Sequence, residues 1–320
     1  MSKDAGAVTI RVTAHGVSRT GPDPGMNYAH DFHAGNFADI IKHAALAATV
    51  AHLARKSKPF VVIDTHAGAG LYDLEAPESL RSGEARGGIF RIADRPATDE
   101  PALIAGLRRA LDAVDDGRGA IGTRRRYPGS PLIAALAMRP GDRLIAAETV
   151  DPVRARLERV LAARAPRPGP RIEVLRHDGY GVLKACLPPG ERRGLAIIDP
   201  PFEEVDEFDR LARAMEAAIE RWASGSYLIW YPVKRADAAE DLARRLGRAL
   251  PPHVEGLRAE LSILPPGSTA DGMTTTGLIA INPAWPVEEG MADLLDWCAH
   301  RLAADPKRPG HWHVSPLPRD

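Results

Sequence analysis

Four short apolar runs, each ending at an acidic residue or a glycine turn, limit most strongly the folds open to this chain. They cover residues 60–63, 144–147, 172–175 and 195–198, and a fifth run covers residues 227–231. Continuous runs of this length are typical of parallel strands that are buried on both faces. Helical patterns at residues 38–55 and 152–163 alternate with them, and residues 257–264 and 277–281 predict a closing hairpin. We therefore predict an α/β fold with an open, doubly wound, mostly parallel sheet.

The length of 320 residues suits one such domain with an insertion. Residues 1–25 are rich in glycine and charge and end in Gly-Pro-Asp-Pro-Gly, so we expect a flexible N-terminal extension there. Residues 26–320 would then form the main domain. A helical pattern at residues 101–114 lies between the first and second apolar runs, which predicts a small helical insertion over about residues 73–126.

The overall charge does not indicate a nucleic-acid partner. Lys plus Arg and Asp plus Glu both total 42, so the formal net charge is zero. A strongly basic domain would point to nucleic acid. Affinity for phosphate depends on where the cations lie, however, so a local basic surface remains compatible with neutrality.

Cysteine and histidine spacing disfavours a disulfide framework and a metal site. The two cysteines, Cys186 and Cys298, do not form a CxxC pair, and no HExxH pattern occurs. No N-terminal signal-peptide core is present, and we find no apolar run long enough to span a bilayer. We therefore expect a cytoplasmic protein that holds no metal and does not insert into a membrane.

The acidic strand ends predict a ligand site. Asp64, Glu148, Asp178 and Asp199 follow four predicted strands, and the carboxyl ends of parallel strands share one edge of the sheet. A single acidic strand end often caps a helix, but four along one edge favour a ligand. The segment after Asp64 contains Gly68, where the backbone can approach a ligand closely. Because it lacks GxGxxG and a Lys-Ser/Thr pair, a dinucleotide or a triphosphate is disfavoured.

Two of these carboxylates suggest contacts with a nucleoside. Glu148 can accept hydrogen bonds from both hydroxyls of a ribose, and we expect Asp151 to cap the following helix and leave Glu148 free. Asp178 precedes Gly179 and can accept from the exocyclic amine of an adenine. A turn-forming Asp-Gly is an equally good interpretation of that pair.

The most specific motif is Asp199-Pro200-Pro201-Phe202, directly after a buried run. Two prolines fix the backbone and remove two N–H donors, so the loop presents acceptors, the Asp199 carboxylate and the Pro200 carbonyl. Phe202 adds a flat face for stacking. A planar base with an amino group needs both features. The sequence therefore predicts that this loop holds an amino nitrogen toward an electrophilic methyl group, with Asp199 able to take the departing proton.

Together these motifs resemble the bacterial 23S ribosomal RNA adenine-N6 methyltransferase J family, over most of the chain from about Met26. The resemblance rests on the segments at residues 27–39, 42–43, 58–60, 64–70, 127–131, 193–201 and 230–233. It implies a Rossmann-like class I methyltransferase sheet with a small helical insertion. It also implies S-adenosylmethionine as cofactor and N6 of one adenine of 23S rRNA, nucleotide 2030, as the methylated atom.

The resemblance also implies roles for individual residues. Asp199 would be catalytic, with Pro200 and Phe202 beside it. The residues expected to contact the cofactor are His43, His66, Gly68, Ser130, Glu148, Asp178, Gly179 and Asp199. The residues expected to border the target base are Tyr28, His30, Lys42 and Phe202. We expect a monomer that acts on protein-free or partly assembled 23S rRNA.

Two positions depart from the family pattern. Phe202 stands where relatives have Tyr, which keeps the stacking face and loses a hydroxyl. Ala29 stands where relatives tend to have Arg, so other residues would recruit RNA. The candidate clusters are Arg124-Arg125-Arg126 and Arg192-Arg193, although a solvated surface run is the more common role of such clusters.

Three alternatives remain at this point. The Asp-Pro-Pro-aromatic loop is equally compatible with N6-adenine methylation of DNA. A nicotinamide-dependent oxidoreductase is disfavoured because GxGxxG is absent. An rRNA-binding module without catalysis is disfavoured because Asp199 and Phe202 are both present.

Overall fold

A central sheet of nine strands organises the computed structural model, which describes residues 10–13, 30–92, 98–115 and 125–319. The strands are β1 (Ile10–Thr13), β2 (Val61–Asp64), β3 (Leu71–Asp73), β4 (Arg126–Pro128), β5 (Arg143–Ala147), β6 (Arg171–Leu175), β7 (Gly194–Ile198), β8 (Ser226–Pro232), β9 (Gly256–Ser262), β10 (Thr275–Ile281) and β11 (His311–Pro316). The helices are α1 (Phe37–Ala54), α2 (Pro77–Ser82), α3 (Glu84–Gly87), α4 (Ile104–Val114), α5 (Ser130–Ala137), α6 (Asp151–Arg164), α7 (Gly179–Cys186), α8 (Glu207–Arg221), α9 (Ala236–Ala249) and α10 (Trp285–Arg301).

The strand order of the sheet is β1-β6-β5-β2-β7-β8-β10-β9-β11. The first six strands in this order are parallel, β10 is antiparallel to both of its neighbours, and β11 is antiparallel to β9. The chain moves from β2 outward to β5 and β6, then returns to the other side with β7 and β8. The strand order therefore reverses at β2, where α/β folds bind ligands. The predicted doubly wound, Rossmann-like fold and its closing hairpin are confirmed.

Helices cover both faces of this sheet. On one face α1, α5, α6 and α10 pack over a core that includes Ile40, Leu132 and Leu294, all buried. On the other face α7, α8 and α9 enclose a second core that includes Met215 and Leu242. Burial on both faces explains why the parallel strands are continuously apolar. The polar edge at the strand ends is left for a binding site.

Helix α1 corrects one expectation. By length and composition α1 could cross a membrane, whereas the expectation from the sequence was that no apolar run is long enough to span a bilayer. In the structure, 72% of its residues are buried, and it contacts α4, α5 and α10. Its buried residues include Asp39, Lys42 and His43. It is the central helix of the core on that face of the sheet.

The segment between the antiparallel strands β3 and β4 contains α2, α3 and α4. Leu103, Leu107 and Leu111 of this segment are buried in the same core as α1. Gly88 meets the main chain before α1 so closely that an added Cβ would lie 2.1 Å from the carbonyl oxygen of Gly35. We propose that the helices predicted over about residues 73–126 are an insertion in one domain of residues 26–320, because they extend its core.

The predicted N-terminal extension falls mostly outside the described residues. Of residues 1–25, the structure describes Ile10–Thr13, which form β1 and pair in parallel with β6. For these four residues the expectation of a flexible chain is replaced by an edge strand of the sheet.

Candidate functional site

A cavity of about 250 Å³ opens at the carboxyl ends of β2, β5 and β7. The start of α1, the start of α5 and the segments that follow these strands form its wall. The predicted residues that line it are Lys42, His43, His66, Gly68, Ser130, Glu148, Gly179, Asp199 and Pro200. Residues that lie more than 150 positions apart in the sequence are thus brought to one site at the reversal of strand order.

Asp178 and Phe202 stand apart from this wall. The Asp178 side chain is 58% exposed and caps α7, because its Oδ1 accepts from the N–H groups of Tyr180 and Gly181. Phe202 packs beside the cavity against other rings. His30 lies in a 3-10 turn whose neighbour, Asp31, reaches the cavity. Tyr28 lies outside the described residues.

A buried ion-pair network joins α1 to the double-proline loop. Lys42 Nζ lies 2.5 Å from Asp199 Oδ2 and 2.8 Å from Asp39 Oδ1, and Lys42 is only 3% exposed. Burial alone lowers the pKa of Lys42, but the carboxylates of Asp199 and then Asp39 raise it above its usual value. Lys42 is therefore a fixed cation whose position is set from both sides.

Asp39 is anchored to the main chain at the start of α1. Its Oδ2 accepts from the Gly35 N–H at 2.9 Å, and its own N–H donates to the capping oxygen of Asn36 at 3.0 Å. Asn36 in turn donates to Glu84 of the insertion at 3.0 Å. The sequence predicts no particular role for Asp39, because an acidic residue in the first turn of a helix is favourable there whatever else it contacts.

The double-proline loop presents the Asp199 carboxylate to the cavity. The side chain of Asp199 is 15% exposed, and Pro200 and Pro201 line the cavity beside it. Phe202 adopts a positive φ of 51°, which is unusual for a residue with a large side chain. Its ring lies 4.8 Å from Phe208 and 5.6 Å from Trp230, centroid to centroid. The loop is therefore held by both the prolines and an aromatic cluster.

The last residue of β2 is a buried carboxylate whose oxygens form no well-aligned hydrogen bond with a described residue. Asp64 is 1% exposed, and the Ser130 hydroxyl and the His66 backbone N–H are its polar neighbours. Burial raises the pKa of Asp64 to about 7, while the nearby Ser130 hydroxyl opposes the rise and the charge of Asp199 adds to it. An orphan carboxylate of this kind is costly unless a ligand uses it.

His66 is held as a neutral ring with a defined tautomer. Burial lowers its pKa to about 4, with the carboxylates of Asp199 and Asp178 opposing the shift. The Thr65 hydroxyl donates to the Ile197 carbonyl at 3.0 Å, so at 2.7 Å it accepts from His66 Nδ1. His66 Nε2 is then an acceptor, and it lies so close to Gly179 that a Cβ there would be 2.6 Å away.

Glu148 lines the cavity, but its surroundings differ from the expectation. Asp151 is the first residue of α6 and does not cap it; its carboxylate pairs with Arg154 and Arg176. Glu148 Oε1 instead accepts from the Val150 N–H at 2.7 Å. Glu148 is half-buried, and burial raises its pKa. The backbone bond fixes the carboxylate at the cavity wall.

Of the two candidate RNA clusters, Arg192-Arg193 lies away from the cavity, and Arg125 of the other is engaged in ion pairs. Arg193 donates to the carbonyls of Lys58 and Leu53, and with Arg192 it precedes β7, at the opposite edge of the sheet. Arg125 pairs with Asp73 and Glu75. Arg124 lies outside the described residues. Among the residues described, no group of three or more His, Cys, Asp or Glu could hold a metal ion.

Comparisons with known proteins identify one family for this chain. A family model described as ribosomal RNA large subunit methyltransferase D, RlmJ, matches residues 57–317. Ribosomal RNA large subunit methyltransferase J from Haemophilus influenzae is 36% identical over 292 residues, covering 90% of this chain and 98% of the relative. The Escherichia coli protein of the same name is 37% identical over 294 residues, covering 91% and 98%. The crystal structure of protein LPL1258 from Legionella pneumophila, 30% identical, superposes with a TM-score of 0.76 over 88% of this chain and 98% of that one.

Proposed function

Because the chain belongs to the ribosomal RNA large subunit methyltransferase J family, we propose that it transfers a methyl group from S-adenosylmethionine to N6 of one adenine in 23S rRNA. The observation that carries this proposal is the position of Asp199. Its carboxylate faces the cavity from a loop with two prolines, and Lys42 holds it at 2.5 Å. That arrangement suits the capture of an amino group, which offers two N–H donors and needs acceptors.

The residues of the cavity fit S-adenosylmethionine. The half-buried Glu148 carboxylate suits the two ribose hydroxyls, and the neutral His66 offers an acceptor at Nε2. The unpaired carboxylate of Asp64 lies buried at the same turn. When bound, the cofactor supplies an electrophilic methyl group. The two carboxylates that line the cavity, Glu148 and Asp199, suit the cationic charge of such a ligand.

Asp199 is proposed to accept a hydrogen bond from the amino group of the target adenine. Lys42 occupies Oδ2 of Asp199, so the base would bond to the other oxygen, Oδ1, together with the Pro200 carbonyl. Two acceptors fix the orientation of the amino group and turn its lone pair toward the methyl donor. The carboxylate also stabilises the positive charge that grows on N6 as the bond forms.

The proton that leaves N6 after transfer has one nearby acceptor in this network. Lys42 is protonated and bridges two carboxylates, so it cannot take a proton. Asp199 can take it and release it to water at the cavity mouth, where its side chain is partly exposed. Lys42 then acts by keeping Asp199 in place.

The predicted polymer is RNA, acted on in the cytoplasm by a monomer without a metal. The name of the relatives supports rRNA, whereas the Asp-Pro-Pro-aromatic loop would accept adenine from DNA equally well. We propose that residues outside the cavity supply the discrimination.

Mapping of N6-methyladenine in 23S rRNA from cells with and without the gene tests the proposal. Purified protein, labelled S-adenosylmethionine and protein-free 23S rRNA or matched DNA form the second part of the experiment. We expect one labelled adenine in the RNA and none in the DNA. Equal labelling of DNA, or an unchanged rRNA map in cells without the gene, would contradict the assignment.

A further inference from the structure

We propose that the exposed start of β11 is the surface on which the substrate RNA docks. The inference rests on the proposed rRNA methylation and adds where the polymer binds. The surface, named here the β11 patch, consists of Lys307, Arg308, His311 and Trp312, all exposed. It combines the two groups that bind single-stranded RNA, cations for phosphate and a ring for stacking.

Strand directions place the β11 patch at the same edge of the sheet as the catalytic loop. β9 runs in the same direction as β8 and β7, and β11 runs against them, so its first residue lies at their carboxyl ends. Across the sheet, Val314 pairs with Ala259, which pairs with Leu278, which in turn pairs with Trp230. The residue before Trp230, Ile229, pairs with Ile198, which is the residue before Asp199. Val314 is therefore level with Asp199, and the patch extends beyond it.

The distance suits a nucleic acid. Four strand spacings separate β7 from β11, which amounts to about 19 Å along the edge. RNA with one adenine in the cavity would place its neighbouring nucleotides along this line. The segment crossed on the way, residues 263–274, carries small and polar residues from Gly267 to Gly272, with Pro265 and Pro266 before them.

The charges of the patch are free to bind phosphate. Neither Lys307 nor Arg308 forms an ion pair with another described residue, and the carboxylate of Asp305, two residues before Lys307, accepts from the Lys307 backbone N–H at 2.9 Å. Most other arginines at this edge are already paired, as Arg156 is with Asp31 and Arg235 with Asp237. The unpaired Lys307 and Arg308 side chains are therefore available to bind the phosphate groups of RNA.

Charge is also divided along α10, the helix beneath the patch. The exposed Glu288, Glu289 and Asp293 lie in its first half, toward the opposite edge of the sheet. His300 and Arg301 lie at its end, beside the patch, and the exposed Asp296 of the same half accepts from Trp312. The excess of acidic side chains in the first half of α10 disfavours a polyanion at the opposite edge of the sheet.

The Trp312 side chain is held by a hydrogen bond in a position where an RNA base can stack on its ring. It is 37% exposed, and its indole N–H donates to Asp296 Oδ1 of α10 at 3.1 Å. His311 beside it is fixed by a 2.9 Å bond between Nδ1 and the Leu264 carbonyl. Rings held in this way lose little freedom when a base stacks on them.

Binding of a protein-free 23S rRNA fragment that contains the target adenine tests the proposal over a range of salt. The double variant Lys307→Gln/Arg308→Gln should bind more weakly, and the slope of log affinity against log salt should fall in magnitude by about 1.4. The matched control is Lys56→Gln/Lys58→Gln, which removes two exposed cations from the opposite edge. The control should keep the wild-type slope.

Stacking is tested by Trp312→Ala against Trp312→Phe. The Ala variant should lose affinity by about 5- to 150-fold, and the Phe variant should retain most of it, since Phe keeps a ring and loses only the bond to Asp296. In methylation assays the patch variants should raise KM for the fragment and retain kcat. Calorimetry with S-adenosylhomocysteine should show that the cofactor site is intact.

The outcomes separate the two proposals. If the wild-type protein methylates the fragment but the patch variants bind it with wild-type affinity and slope, the β11 patch is not the docking surface, whatever else it contacts. A loss of slope in the opposite-edge control equal to that of the patch variant would also overturn it. If the wild-type protein methylates no RNA, the proposed function fails together with the patch.

Discussion

Lys42 Nζ lies 2.5 Å from Asp199 Oδ2, a contact between residues 157 positions apart in the sequence. The ammonium group also contacts Asp39, so one buried cation is shared by two carboxylates. Removal of one member of such a group leaves an unbalanced charge in a dry site, which is more harmful than removal of the whole group. Because Lys42 contacts both Asp39 and Asp199, we expect the effects of substitutions at these three positions to be non-additive.

We expect Asp199→Ala to abolish methyl transfer and to leave the fold in place. The substitution removes the proposed acceptor for the amino group and for the proton, which together should lower kcat by at least about 100-fold. The measurement is single-turnover methylation, with thermal unfolding and calorimetry of S-adenosylhomocysteine as checks on fold and cofactor affinity. Near-wild-type turnover would refute the catalytic role of Asp199.

Asp39 and Lys42 should behave as a coupled pair. Asp39→Asn alone should lower kcat, because Lys42 loses the anchor that sets its position against Asp199. In a Lys42→Met background the same substitution should have little further effect, with a coupling energy of about 1–3 kcal/mol. The control is Asp142→Asn, which removes an equally buried carboxylate bonded to Arg139 at the other edge of the sheet. Additive losses of activity in the double variant would show that Asp39 acts through stability alone.

Phe202→Tyr should retain activity, and Phe202→Ala should lose it. Tyr keeps the ring that packs against Trp230 and Phe208, whereas Ala removes both that packing and the flat face beside Asp199. A lost stacking interaction corresponds to about 1–3 kcal/mol in transition-state binding. kcat/KM for the two variants is the measurement, and equal values would remove the ring from the mechanism.

Asp64 should make the free energy of unfolding decrease as pH rises, because its pKa is raised in the folded protein. Its pKa in the folded protein is about 7, well above the value of an unfolded Asp, so the folded state binds one more proton between about pH 4 and pH 7. The contribution of Asp64 to the free energy of unfolding therefore falls as pH rises through this window and levels off above it.

The comparison variant is Asp64→Asn, which cannot titrate. Denaturant unfolding of both proteins from pH 4 to pH 8 should show the variant gaining stability relative to wild type as pH rises, by up to about 4 kcal/mol. A difference that stays constant over this range would mean that Asp64 is ionised in the folded protein throughout.

Gly179→Ala should weaken cofactor binding through His66. An added Cβ would lie 2.4 Å from Cε1 of the His66 ring and 2.6 Å from the Thr65 carbonyl oxygen, so the ring must move. Overpacking of this kind costs about 1–3 kcal/mol. Calorimetry with S-adenosylhomocysteine measures the loss. Gly190→Ala is the control, since nothing lies within 4 Å of its added Cβ, and equal affinities for the two variants would contradict the prediction.

The sequence predicts the parallel strands and the cavity well, because burial on both faces requires continuous apolar runs and the strand ends must share an edge. Prediction from sequence fails where the same type of side chain can either cap a helix or contact another group. Asp178 and Asp151 are both acidic residues near a helix start, yet Asp178 caps α7 and Asp151 caps nothing. Local sequence does not distinguish the two.

The edge strands also escape prediction. β11 begins His-Trp-His and alternates polar and apolar residues, because one edge of it is open and its faces are only partly covered. The ion-pair network of Asp39, Lys42 and Asp199 is not predicted from the sequence for another reason. It depends on the packing of α1 against the sheet, which no local pattern encodes. The role of Tyr127, whose hydroxyl lies 2.7 Å from His43 Nδ1, is hidden in the same way.

The reversed direction of β10 places a hairpin tip at the same edge of the sheet as Asp199. Because β10 descends between two ascending strands, residues 263–274 turn back over the catalytic edge as a hairpin rather than passing beneath the sheet in a helix. Such a tip can lengthen or shorten without moving any strand, and the carboxylate and its lysine would stay where they are. Relatives could thus evolve toward different neighbouring nucleotides while their chemistry stays constant.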